Sequence, residues 1–310
     1  MSINTMAQEL AAELEDTLRQ LEVYRREDTP SSVPAEALPS LLQQCQQICD
    51  SIEQTPPLRT LHHFACTGGT LISKCISALP NSVVVSEIDP LSTMGVNKSG
   101  WAPRFAPTDL ILGLRQAARD VDQDVLVEVF RSSILTAHET LSGQGYSLVL
   151  RDHAHSHFCT DVDPASRPSL HEILSPCMPL RSVVTVRHPL DAFLSLTANG
   201  WLHFEPVTLD EYSSRYLAFL DRHEGLPVVQ YEDFVTAPEE VLEQLCNLLD
   251  LPFSPLAFDF LPVIKMTGDS GRSGGRISAR RRRDVPQELS DIRHESQNYR
   301  ALCERFGYDL

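Results

Sequence analysis

Two groups of residues in this 310-residue chain have the types and spacing to hold an anion. The first is Thr67-Gly68-Gly69-Thr70, a Gly-Gly turn flanked by threonines, which joins an apolar run to the amphipathic stretch LISKCISAL. A strand, a tight loop and a helix N-terminus, in that order, bring backbone N–H groups and the positive end of a helix dipole onto one point. The hydroxyls of Thr67 and Thr70 add donors that a phosphate can use. The second group is Arg187 with Ser195 eight residues on, in RHPLDAFLSL. Pro189 opens a helix there, so a guanidinium fork at a strand end and a hydroxyl two turns into the helix can converge on one anion. The plain alternatives are an ordinary strand-to-helix connection for the first group and a helix-capping arginine with a surface serine for the second.

More ionisable or polar groups follow apolar runs: Glu87, then Arg151 and His153, then Tyr231. Collected at one edge of a sheet they would face the anion loop. A competing pattern is the alternation of His153, His155 and His157 with Asp161 and Asp163 following. On a strand, alternate positions share a face, and three imidazoles can serve zinc.

The elements that must position these residues read clearly from residue 58 onward. Apolar runs at residues 61–65, 82–87, 147–151, 182–187 and 227–231 lack polar alternation, as strands covered on both faces do. Helical patterns lie between them, at residues 108–120, 125–141, 190–199, 209–222 and 238–249. The expected fold class is α/β: a three-layer α/β/α domain over residues 58–310 with a central parallel sheet and right-handed crossovers. Ligands in such folds sit beyond the carboxyl ends of the strands. Ahead of it, Leu10, Leu14, Leu18 and Leu21 at helical spacing, and Leu41, Cys45, Ile48, Cys49 and Ile52, mark two amphipathic helices. They form a helical N-terminal extension over residues 1–57, free to pack on the domain or to pair two subunits as a homodimer.

Composition narrows the function classes. A 42% hydrophobic share supports an ordinary core, and no apolar run reaches membrane-spanning length. The polar, acidic start lacks the basic and apolar segments of a signal peptide, so the expected location is cytoplasmic. The eight cysteines include no CxxC pair and are expected as reduced thiols. A net charge of −16 argues against nucleic acid as a partner. Any bound anion must be met by local positive charge.

Taken together, the motifs resemble those of sulfotransferases that use 3'-phosphoadenosine-5'-phosphosulfate (PAPS), over about residues 61–275. CTGGTL, Cys66 to Leu71, looks like the family's 5'-phosphosulfate loop, a basic residue followed by Ser-Gly-Thr-Thr. RHPLDAFLS resembles its 3'-phosphate motif, which carries over to Arg187 and Ser195. VVQYEDFVTAPEEVLEQL is similar to its strand, Tyr-Glu-Asp turn and helix, which puts Tyr231 near the nucleotide. GDSGRSGGRI resembles its Gly/Arg-rich closing segment, with Arg272 as the candidate contact. The resemblance implies a P-loop NTPase-like fold, PAPS as donor and no metal.

Sulfuryl transfer needs a general base on the acceptor hydroxyl or amine and positive charge at the leaving oxygen. The resemblance offers two bases: Glu87, spaced as the carboxylate of tyrosylprotein and some bacterial sulfotransferases, and His153, placed as the histidine of cytosolic ones. It gives Arg151 the charge-stabilising role. Cys66 departs from the pattern by standing where the family's loop is basic, with Lys74 or Arg151 as the substitute. The basic run at residues 280–283 reads as a solvated tail or as part of the site. Three other readings stand beside this one. They are a zinc-dependent hydrolase on the His153, His155, His157 cluster, an inactive nucleotide-binding protein of the same fold, and a nucleotide kinase; Gly-Lys-Ser/Thr is missing for the last. The acceptor, a small metabolite, lipid or saccharide, would be set by residues 90–144 and 158–179, with Trp101, Phe105 and Trp201 lining its pocket or packed in the core.

Overall fold

A computed structural model of the protein describes residues 15–16, 18–19, 40–41, 43–44, 56–94, 109–115, 117–267 and 277–310. The chain divides into two units, residues 1–54 and 55–310. In the first, Glu15, Asp16, Leu18, Arg19, Leu41, Gln43 and Gln44 are helical. The rest of the two expected N-terminal helices lies outside the described residues.

The second unit is organised by five parallel strands: β1 (Leu58–His63), β2 (Ser82–Ile88), β3 (Ser147–Asp152), β4 (Leu180–Val186) and β5 (Val228–Gln230). Their order is β2-β3-β1-β4-β5. The helices between and after them are α1 (Gly69–Ser77), α2 (Leu110–Arg115), α3 (Gln123–Gly143), α4 (Ala154–Phe158), α5 (Leu170–Leu174), α6 (Pro189–Ala198), α7 (Leu209–Arg222), α8 (Tyr231–Thr236), α9 (Pro238–Leu249), α10 (Ala257–Phe260), α11 (Gln287–Ile292) and α12 (Gln297–Phe306). Every residue of β1 is buried, as its run without polar alternation requires of a central strand. Successive strand residues feed opposite faces. Val184 and Val186 join Phe64 in a core with α4, α6, α7 and α12, while Leu61 and Val183 join α1 and α9 on the other side. A further core packs Leu148 and Leu150 against α3 and α5. The fold is therefore the three-layer α/β/α sandwich with a parallel sheet that the alternation of patterns implies.

Because β1 is central, the loop after it lies mid-edge, with the end of β3 on one side and the end of β4 on the other. Three local departures from the sequence expectation bear on the site. Residues 153–157 are not strand: His153 caps α4, so alternate positions turn by about 200° instead of sharing a face. His155 Nε2 bonds Trp201 O (3.0 Å) and His157 Nε2 bonds Pro164 O (2.9 Å), so the zinc-site arrangement imagined for the three histidines does not form. The helix expected at 108–120 is described only as the six residues of α2, whose Arg115 is tied to the carbonyls of Pro90 and Ser92. The helices α11 and α12 were not read from sequence. Tyr299, Leu302 and Cys303 of α12 are buried in the core with α7.

Candidate functional site

A cleft of about 420 Å³ opens at the carboxyl edge of the sheet, lined by the loop after β1 and by the ends of β2, β3 and β4. That volume suits a small-molecule ligand. Among its walls are Cys66, Thr67, Gly68, Gly69, Thr70 and Leu71, together with Glu87, Arg151, His153, Arg187, Ser195 and Tyr231. In the sequence these span 166 positions, from 66 to 231, and the topology brings them together. Arg272, Trp101 and Phe105 lie outside the described residues.

The loop needs both glycines. Gly68, at φ 89°, occupies the left-handed region that glycine enters without cost. A Cβ on it would fall 2.1 Å from the Tyr231 ring, and one on Gly69 would fall 2.2 Å from the His63 ring. The loop thus lies flat on two aromatic rings, and Gly68 O receives the Leu71 amide at 3.0 Å, which closes the first turn of α1. The Thr67 hydroxyl, which the sequence offers as a phosphate donor, donates instead to Phe64 O (2.8 Å) in a fully buried turn. Its proton is used to shape the loop. Thr70 Oγ1 accepts from Arg151 Nη2 at 2.8 Å.

Arg151 is 3% exposed and is fixed on every side. It donates to Ser86 Oγ (2.9 Å), Thr267 O (3.0 Å) and Thr70, and lies 3.4 Å from Glu87 Oε1. Burial lowers its pKa from the ordinary arginine value while Glu87 raises it, and a guanidinium stays charged under such a shift. Both Arg151 Nε and Nη2 approach His63 Nε2, at 3.1 and 3.0 Å. An arginine can only donate, so that nitrogen accepts and the His63 proton sits on Nδ1. Burial, followed by the Arg151 charge, holds His63 well below the usual imidazole range and therefore neutral. Nδ1 is buried with no hydrogen-bond partner among the described residues. The cleft floor thus carries an unmet donor.

Glu87 has φ 56°, where a residue bearing a Cβ is strained, and the β2–β3 register shifts between Val85 and Ile88. A bulge of this kind re-aims a side chain at a sheet edge. Two residues on, Asp89 is gripped by Arg167 through Nη1 (2.7 Å) and Nη2 (2.9 Å) and also receives Ser156 Oγ, which fixes the chain just past the bulge. His153, the rival for the same chemistry, is held by its amide to Ile88 O at 3.3 Å.

At the other end of the cleft, the Arg187 amide donates to Tyr216 Oη (3.0 Å) and the side-chain Nη1 donates to Cys66 O (3.2 Å). Its guanidinium lies 5.0 Å from the centroid of the Tyr231 ring, a cation–π stack. Tyr231 is therefore a spacer between Gly68 and Arg187. Cys66, at φ 63°, turns its thiol toward Asn199 Nδ2 (3.9 Å), and burial pushes that thiol up to about 11, so it is uncharged. Lys74, buried one turn into α1, also lines the cleft.

Sequence reasoning missed or undervalued part of the lining. His63 follows Leu61 at period two and so lies on the α1 side of β1, a signal available in the sequence. The arginines at 280–283 line the cleft rather than trailing away, and Arg282 is anchored to Asp191 Oδ1 (2.9 Å) and lies 3.5 Å from Asp309 Oδ2. His155 and Trp201 contribute the less polar wall.

The sequence model of a sulfotransferase family matches residues 65–255, which is 191 of 310 positions. Among solved structures, the sulfotransferase domain from the Synechococcus PCC 7002 olefin synthase aligns at 20% identity and a TM-score of 0.51, covering 83% of this chain and 96% of that one. The sulfotransferase domain from the curacin biosynthetic pathway aligns at 18% identity and a TM-score of 0.43, covering 83% and 99%. A mouse sulfotransferase complexed with PAP aligns at 12% identity and a TM-score of 0.39, covering 80% and 88%. No curated protein matches the chain. No helix among the described residues is long and apolar enough to cross a membrane.

Proposed function

The chain belongs to the sulfotransferase family, and on that premise we propose that it moves a sulfuryl group from PAPS to a hydroxyl or amine of a small acceptor by in-line displacement. The observation that carries this reading is the pair of arginines at the two ends of one loop. Arg151 donates to Thr70 at its helix end, and Arg187 donates to the carbonyl of Cys66 at its start. A nucleotide with phosphate groups at both 5' and 3' positions is the ligand that uses both.

The residues fit such a donor. The loop from Cys66 to Leu71, flattened on His63 and Tyr231, would present the amides of Gly68 and Gly69 to the 5' end, and the unmet Nδ1–H of His63 is a buried donor beneath it. Arg187 and Ser195 would hold the 3'-phosphate, with Tyr231 stacked beneath the guanidinium. Arg272 is a further candidate for that end by family resemblance, and the arginines at 280–283 join it by their place in the cleft wall. When bound, the donor supplies the sulfonate and its leaving phosphate oxygen. Arg151 stabilises the charge that develops on that oxygen, which answers the absence of a basic residue at Cys66. Glu87, 3.4 Å from Arg151, takes the acceptor proton in our reading, with His153 as the alternative base. The scheme calls for no metal in the cleft. The acceptor enters beside Trp201 and His155, where a ring and a hydroxyl-bearing metabolite, lipid or saccharide can pack.

Arg187→Ala tests the donor assignment. A charge-assisted contact contributes about 1.5–3 kcal/mol, so the affinity for 3'-phosphoadenosine-5'-phosphate should fall roughly ten- to a hundred-fold in calorimetric titration. Unchanged affinity would remove Arg187 from the site.

A further inference from the structure

Behind the cleft, on the opposite face of the same strand ends, three buried side chains from distant parts of the chain meet. They are His62 of β1, Asp152 at the end of β3 and His223, which caps the C-terminus of α7; none is more than 5% exposed. One nitrogen from each histidine and one Asp152 oxygen all lie within 4.8 Å of one another. None of the three lines the cleft. Their neighbours His63 and Arg151 do, because successive strand residues face opposite sides.

The hydrogen bonds around this cluster leave one of its inner atoms, His223 Nε2, without a partner among the described residues. His223 Nδ1 lies 2.8 Å from the carbonyl of Phe219, an acceptor only, so the ring donates there and Nε2 holds a lone pair. That Nε2 is buried with no partner among the described residues. His62 Nε2 lies 3.0 Å from Thr60 Oγ1, which is itself 2.7 Å from Ser182 Oγ. With its proton on Nδ1, His62 donates to Asp152 Oδ2 at 2.9 Å; with the proton on Nε2 and donated to Thr60, Nδ1 turns a lone pair to the same point. In that second tautomer two imidazole lone pairs and a carboxylate converge on one interior point.

We propose that His62, Asp152 and His223 bind a divalent transition ion of the zinc class as a structural brace between β1, β3 and α7. Two neutral imidazoles and a carboxylate are a donor set that zinc accepts, one ligand atom from each residue. Bonds of about 2.0–2.1 Å at tetrahedral angles separate ligand atoms by about 3.3 Å; His62 and Asp152 stand at 2.9 Å and all three atoms within 4.8 Å, so binding draws His223 inward. Each imidazole also has an outer hydrogen-bond partner: the Phe219 carbonyl, which fixes the tautomer of His223, and the Thr60 hydroxyl, which accepts from His62 in the metal-binding tautomer. The ion takes no part in sulfuryl transfer. It holds the strand residues from whose neighbours the cleft projects His63 and Arg151.

The test is elemental analysis of the full chain produced with zinc in the medium, beside His223→Gln. About one zinc per wild-type chain, lost in the variant, is the expected result. Should the variant fail to fold, the wild-type protein decides. Stripped with a chelator and retitrated with zinc alone, it should regain one equivalent and melt at a higher temperature. Metal-free wild-type protein whose melting does not respond to zinc overturns the proposal, as does a folded His223→Gln that retains the full equivalent.

Discussion

Replacing Arg151 with alanine is expected to lower the rate of sulfuryl transfer about a hundred- to a thousand-fold, the range for removing one preorganised donor from a developing negative charge. The effect should fall mainly on turnover. The guanidinium is buried, tied to Ser86, Thr70, Thr267 and His63, and aligned before any ligand arrives. Charge held in that way does not have to reorganise as the S–O bond breaks. Arg151→Lys should recover little, because an ammonium cannot meet His63, Ser86 and Thr70 with one planar fork. Steady-state kinetics with PAPS and a competent acceptor check this, with 3'-phosphoadenosine-5'-phosphate affinity as a fold control. Near-normal turnover in Arg151→Ala would show that the charge comes from elsewhere, with Lys74 the next residue in the cleft to examine.

The second large effect concerns the proton. General-base catalysis contributes about a hundred- to ten-thousand-fold, and a loss in that range is expected for Glu87→Gln, against a small loss for His153→Ala. Glu87 is favoured because β2 departs from regular strand geometry to present it. A left-handed φ of 56° on a non-glycine residue and a register shift at the sheet edge are costs that pairing alone would avoid. Its position next to Arg151 also lets acceptor oxygen and leaving oxygen share one charged wall. If Glu87→Gln turns over at nearly the wild-type rate while His153→Ala does not, the base is the histidine.

Much of this site was legible in the sequence because it rests on local signals. Strand runs of Val and Leu, the Gly-Gly turn and the Arg-to-Ser spacing each need only a few consecutive residues, and β1 to β5 form within a few positions of where those runs lie. What escaped was set by contacts far apart in the chain. His153 to His157 alternate as strand residues would, yet the chain leaves the sheet at Asp152 and coils into a five-residue helix too short to show a period. The Thr67 hydroxyl is used on Phe64 O, a choice made by the turn and not by composition. The arginines at 280–283 read equally as a tail. Their place in the cleft wall depends on Arg282 meeting Asp191, 91 residues earlier. The pairing of His62 with Asp152 and His223 spans three elements and leaves no motif at all.

The central claim is that the cleft is built for a nucleotide phosphorylated at both ends, and thermal unfolding with competing nucleotides tests it most directly. A ligand held at about a hundred times its dissociation constant stabilises the folded chain by about 2.7 kcal/mol, a rise of roughly 5–10 °C for a unit of this size. The account predicts such a rise with 3'-phosphoadenosine-5'-phosphate and little or none with ADP or ATP at the same concentration, magnesium present or absent. Equal or greater stabilisation by ADP or ATP, or no response to the 3'-phosphorylated compound, would contradict it.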